Sequence, residues 1–179
     1  MSTRLARVLT AIALGALATI GLWEGARGVI VPHFLADLHL SAAAGGAVFA
    51  ASSLGYLANS LSFGYFSHRF GLKRLVLAGL GLMAVALSVF LTQRNPVLLY
   101  GGNMLLGAAT SMMELSTSIQ ISLIYRDRQS GMLNLLHGCF GAGALSGSLW
   151  AALWLGLGAS WRVPFGLVGA ILALWALWY

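Results

Sequence analysis

Two carboxylates stand inside long apolar runs, Glu24 after Gly21-Leu-Trp and Glu114 after Ser111-Met-Met. A charged carboxylate at the centre of a bilayer costs roughly 2.5–3.5 kcal/mol even on permissive insertion scales, so each position needs a reason. A carboxyl group held there can take up and release a proton, which is the chemistry of coupled transport. Arg27 lies three residues after Glu24 on the same helical face, so the two can form a neutralised structural pair or act together on a substrate. Glu114 has no local cation and is the stronger proton-coupling candidate. His137 offers a proton relay or a ligand hydrogen bond, with a plain bond to a neighbouring helix as the alternative. Trp23 offers a ring for stacking on a sugar, although packing is the commoner use of such a residue. Asn59, Asn103 and Asn134 offer amide hydrogen bonds.

Helical spacing groups these residues. Asn103, Thr110, Glu114 and Thr117 fall at offsets of 7, 11 and 14, which is one helical face. Ser52, Gly55, Asn59 and Ser62 form a similar stripe, as do Asn134, His137, Gly141 and Ser148. Polar stripes of this kind face other helices or water, so three helices are expected to line one cavity. The alternative is that the serines and glycines only help helices to pack.

The elements carrying these stripes follow from composition. The chain has 179 residues, 59% hydrophobic and 8% charged, against roughly 25% charged in a soluble domain. That excludes an ordinary water-soluble protein. Since a spanning helix needs about 20 apolar residues, the expected fold is an all-α membrane protein with six transmembrane helices forming a single domain over 1–179. They are expected at about 8–31, 42–66, 75–91, 97–124, 132–156 and 163–178. The N-terminus resembles a signal peptide, with Arg4 and Arg7 before an apolar stretch, but that stretch runs on to Val31 and favours a retained helix. Pro32 is expected to close the first helix, Asn95-Pro96 to cap the fourth, and Pro164 to sit in the first turn of the sixth. The third and sixth helices are almost wholly apolar and should be scaffold.

Arg4, Arg7, Arg69, Lys73, Arg74, Arg126 and Arg128 fall on one side of this topology, against Arg94 and Arg162 on the other. The positive-inside rule then places both termini in the cytoplasm, and the expected location is a bacterial inner membrane. The net charge of +6 reflects that topology and not a nucleic-acid patch. The single cysteine, Cys139, offers neither a disulfide nor a multi-cysteine metal site, and no cofactor or metal is expected. No His-Glu-x-x-His motif appears. Ala144-Leu-Ser-Gly lacks the leading glycine of an intramembrane serine protease, and no histidine follows His137, so an enzyme is not expected.

The segment from Gly64 to Leu75, with Gly64, Arg69, Gly71, Lys73 and Arg74 in place, resembles the signature loop of the major facilitator superfamily, except that His68 stands where aspartate is usual. The stretch from Leu133 through His137 to Leu145 is similar to the branch containing fucose:proton symporters and sugar permeases. The resemblance implies a gating role for the loop, with proton coupling and substrate contact at acidic residues of the first and fourth helices, here Glu24 and Glu114. It also implies a cavity bordered by helices one, two, four and five. Substrate contact would fall to Arg27, Asn59, Asn103, Asn134, His137 and Trp23. The resemblance implies one six-helix half of a twelve-helix transporter, the other half coming from a second copy, from a different half, or from a longer protein of which this is a fragment. The expectation is a homodimer that moves a small polar solute, of which a sugar is the class implied, by proton-coupled alternating access in the lipid bilayer. A non-transporting membrane subunit or assembly factor is the alternative, favoured by His68 and the half length.

Overall fold

The computed structural model describes residues 3–92 and 95–178, and these form six helices with one short 3-10 turn. They are α1 (Thr3–Asp37), α2 (Ala42–Phe70), α3 (Leu72–Thr92), α4 (Pro96–Ile124), α5 (Gln129–Gly156) and α6 (Arg162–Trp178), the 3-10 turn Arg126–Arg128 leading into α5. Arg94 lies outside the described residues. Three helices, α1, α3 and α5, are long and apolar enough to cross a membrane, and α6 is a shorter apolar helix of 17 residues.

Local signals account for several ends. The side chain of Ser41 accepts a hydrogen bond from the Ala44 amide at the start of α2, and Asn95 accepts from Val97 before α4, with Pro96 in its first turn. These are side-chain caps on otherwise orphaned amides. Pro32 does not close α1, which continues through it to Asp37. An interior proline removes one helical hydrogen bond and costs about 3 kcal/mol. Here Ile30 and Phe34, both buried, grip the helix on either side of it, and Phe34 meets Trp161 edge-on at 5.5 Å. Tertiary packing outweighs the local signal.

α1 packs along α5 and α4 packs along α2, while α3 packs on α4 and α6, and α6 also meets α1. The first three helices and the last three thus repeat one pattern of partners. The flanking helices bury only narrow stripes: Leu136, Gly143, Gly147 and Ala151 on α5, and Gly45, Val48, Ser52, Gly55, Asn59 and Phe63 on α2. Small residues let the backbones touch. A Cβ on Gly25 would collide with the Ala144 carbonyl oxygen, one on Gly147 with that of Leu22, and one on Gly55 with that of Met104. The rear of the bundle carries the larger side chains, with Leu80, Met83 and Leu87 of α3 and Phe165, Val168 and Leu172 of α6 all buried.

One end of the bundle is fastened by polar contacts. Asp37 Oδ2 accepts from Arg162 Nη1 at 2.7 Å and from Trp161 Nε1 at 3.2 Å, and Arg162 Nε donates to the Leu91 carbonyl at 3.1 Å. This ties together the end of α1, the end of α3 and the start of α6. At the opposite end Gln120 Nε2 donates to the Leu9 carbonyl, and Thr10 and Tyr125 hydroxyls lie 3.0 Å apart, joining the start of α1 to the end of α4.

Candidate functional site

A cavity of about 350 Å³ opens between α1, α2, α4 and α5. Its lining comes from Glu24 and Arg27 of α1, Ser52, Ser53 and Tyr56 of α2, Thr110 and Glu114 of α4, and Phe140 of α5. Among the described residues, none of α3 or α6 lines it. Both acidic residues singled out in the sequence therefore face one space, each four residues beyond the middle of its helix.

Arg27 Nη1 lies 3.2 Å from both carboxylate oxygens of Glu24 and 3.4 Å from Ser52 Oγ. Its guanidinium also sits 4.3 Å from the centroid of the Phe49 ring, a cation–π contact that adds attraction in a poorly solvated setting. The arginine side chain is 9% exposed and the glutamate 32%. The cation is fixed among protein groups, whereas its carboxylate partner looks into the cavity.

Glu114 is held differently. Tyr56 Oη donates to Glu114 Oε2 at 2.9 Å, from α2 to α4. Two carboxylates and one guanidinium leave this cavity with one net negative charge when both acids are ionised, and protonation of either cancels it. Hydrogen bonds to an ionised partner are stronger than neutral ones, so a change of protonation at Glu114 also changes the tie between α2 and α4.

The remaining residues named from the sequence separate into other settings. Asn59 is buried and donates through Nδ2 to Ser111 Oγ at 3.0 Å, fastening α2 to α4. Asn103 is buried and donates to the Leu99 carbonyl of its own helix at 2.9 Å. Thr117 likewise bonds back to the Met113 carbonyl. The polar stripe of α4 thus splits, with Thr110 and Glu114 on the cavity and the other two turned into the bundle. Trp23 is fully buried, its ring centroid 4.2 Å from that of Phe165, so it packs on α6 and does not reach the cavity. Asn134 and His137 lie on the exposed side of α5 and are not among the cavity residues.

The segment from Gly64 to Arg74 is less of a loop than expected. Gly64, His68 and Arg69 belong to α2, Lys73 and Arg74 to α3, and Gly71 alone separates the helices. Gly71 has φ 76°, in the left-handed region that favours glycine, and its amide closes α2 on the Ser67 carbonyl.

Tyr56, Phe49, Ser53 and Phe140 were not singled out in the sequence. Ser53 and Tyr56 are one turn apart on the face beside Ser52, so the serine stripe was the available signal; nothing in the spacing distinguishes Phe140 from a packing aromatic. No curated protein matches the chain. The family described as Major Facilitator Superfamily matches residues 5–179, nearly the whole sequence.

Proposed function

The chain belongs to the major facilitator superfamily, and we propose from that premise that this membrane transporter moves a small polar solute of the sugar class by proton-coupled alternating access. The observation that carries the reading is the joint presence of Glu114, tied to Tyr56, and the Glu24–Arg27 pair in one cavity. In this mechanism Glu114 exchanges the proton. Its charged form holds Tyr56 strongly and its neutral form weakly, so proton uptake loosens the link between α2 and α4 while solute occupies the space between them. Glu24 accepts hydrogen bonds from solute hydroxyls, and Arg27, locked by Phe49 and Ser52, keeps that carboxylate oriented. Ser53, Thr110 and Phe140 complete the contact surface, a mixture of hydroxyls and an aromatic face suited to a polar ring.

All six helices span the bilayer in this reading, with both termini in the cytoplasm of a bacterial inner-membrane protein, and the relevant branch is that of the fucose:proton symporters. α2 and α5 both border the cavity, and Leu54, Leu57 and Leu61 of α2 and Leu145, Leu149 and Leu153 of α5 are exposed. A second six-helix bundle covers these leucines, supplied by a second copy of the chain. Rocking of one bundle against the other then exposes the cavity to alternate sides. Asn134 and His137, on the exposed side of α5, contribute to that junction or to the solute once the second bundle is in place.

The test is transport by the reconstituted protein across a panel of sugars and organic ions, with and without an imposed pH gradient. Sugar accumulation that follows the gradient supports the reading. Accumulation indifferent to the gradient, or confined to organic ions, contradicts it. Cross-linking from Leu149→Cys in native membranes tests the second bundle: a self-linked product supports the homodimer, and a stoichiometric foreign partner contradicts it.

A further inference from the structure

We infer that the first turn of α3 carries a binding site for an anionic phospholipid. Two apolar grooves flank this turn. One, of about 440 Å³, runs between the start of α1 and the end of α4, where Leu5, Leu9, Leu72 and Leu123 form its walls and Lys73 stands among them. The other, of about 300 Å³, lies against the end of α2, with Phe66, Phe70, Leu75 and Met112 as its walls and Arg74 among them. Consecutive cations thus serve two different grooves beside one helix.

Both cations are exposed, and neither takes part in an ion pair among the described residues, where the pairs are Arg27–Glu24 and Arg162–Asp37. Lys73 and Arg74 share their end of the bundle with Arg4, Arg7, Arg69, Arg126 and Arg128, and Asp127 is the acidic residue placed there by the topology. The positive dipole end of a 21-residue helix adds to the same field. An apolar groove next to unpaired positive charge at a bilayer surface matches an acyl chain below a phosphate, the arrangement by which basic pockets between membrane helices retain anionic headgroups. The occupant is a phospholipid of the adjoining leaflet, its phosphate at Lys73 and Arg74 and a chain in the groove beside Arg74. Its position bears on mechanism, because Gly71, the single residue between α2 and α3, lies next to it. A lipid seated there braces the joint.

Native mass spectrometry of the full chain, released from micelles supplemented with either phosphatidylglycerol or phosphatidylcholine, reads this directly. The expected result is retention of phosphatidylglycerol in preference to phosphatidylcholine, reduced about tenfold or more in Lys73→Gln/Arg74→Gln. Arg126→Gln/Arg128→Gln removes the same charge from the same end at residues that line neither groove and should retain lipid as the unaltered chain does. Equal loss in both double variants, equal retention of the two lipids, or displacement by millimolar inorganic phosphate overturns the inference. Circular dichroism on each variant identifies any loss that comes from unfolding, and Ala78→Trp, which fills the Arg74 groove without changing charge, must then lower retention for the inference to stand.

Discussion

Tyr56 Oη and Glu114 Oε2 are 2.9 Å apart, a hydrogen bond that joins α2 to α4 in the lining of the cavity. In the proposed mechanism it makes the fit between these helices depend on whether Glu114 holds a proton. Asn59 and Ser60, farther along α2, both reach Ser111 one turn before Glu114, so the junction has a proton-sensitive contact beside two neutral ones. In that mechanism the neutral pair maintains the alignment while the charged contact alters.

Tyr56→Phe removes the donor and little volume. With the Tyr56 side exposed to the cavity, we expect stability to change by less than about 1 kcal/mol, because a typical hydrogen bond contributes about 0.5–1.5 kcal/mol net. Gradient-driven uptake should fall by roughly 2- to 10-fold. Unchanged uptake with unchanged stability would assign the hydroxyl no part in coupling.

Arg27→Met strands Glu24. Removing one partner of a buried ion pair costs about 3–5 kcal/mol, and since Glu24 is one-third open to the cavity we expect about 1–3 kcal/mol. The double variant Glu24→Gln/Arg27→Met should recover most of that loss in thermal unfolding while remaining inactive in transport. Additive losses would mean that the two residues act independently.

The glycine contacts predict a sharp contrast between positions. Gly25→Leu forces α1 away from α5, where the Ala144 carbonyl occupies the space, and overpacking of this kind costs about 1–3 kcal/mol or more. Gly81→Ala in α3 meets open space and should stabilise by roughly 0.5–1 kcal/mol through helix propensity. Unfolding of the two purified variants in detergent checks both signs.

Arg162→Ala cuts the tie among α1, α3 and α6. The ion pair is partly exposed, so its own worth is about 0–1 kcal/mol, but the Leu91 carbonyl loses its donor as well. Amide hydrogen exchange should rise at the end of α3 and the start of α6 and remain unchanged around Asn59 and Ser111. Uniform exchange across the bundle would contradict a local role.

The lengths of the apolar runs led to an expectation of six helices, the number in the structure, and Glu24, Arg27 and Glu114 came to attention because ionised groups inside apolar runs stand out by composition alone. Pro32 misled because its local effect is strong and its remedy, the grip of Ile30 and Phe34, is tertiary. Asn103 and Asn59 misled for another reason. An amide on a polar stripe looks the same in sequence whether it meets a ligand, its own helix backbone or the next helix, and the rotation of α4 about its axis decides which. Trp23 lies beside Glu24 in sequence but points to α6, since adjacent helical residues diverge by about 100°. The importance of Tyr56 arises from the pairing of α2 with α4, which no single helix encodes.

The most direct test of the central claim compares Glu114→Gln with the unaltered chain in liposomes under an inward proton gradient. The proposed mechanism predicts that the unaltered chain concentrates its solute and that Glu114→Gln does not, while the variant still exchanges labelled for unlabelled solute without a gradient. Concentration of solute by Glu114→Gln to the level of the unaltered chain would contradict proton coupling through Glu114.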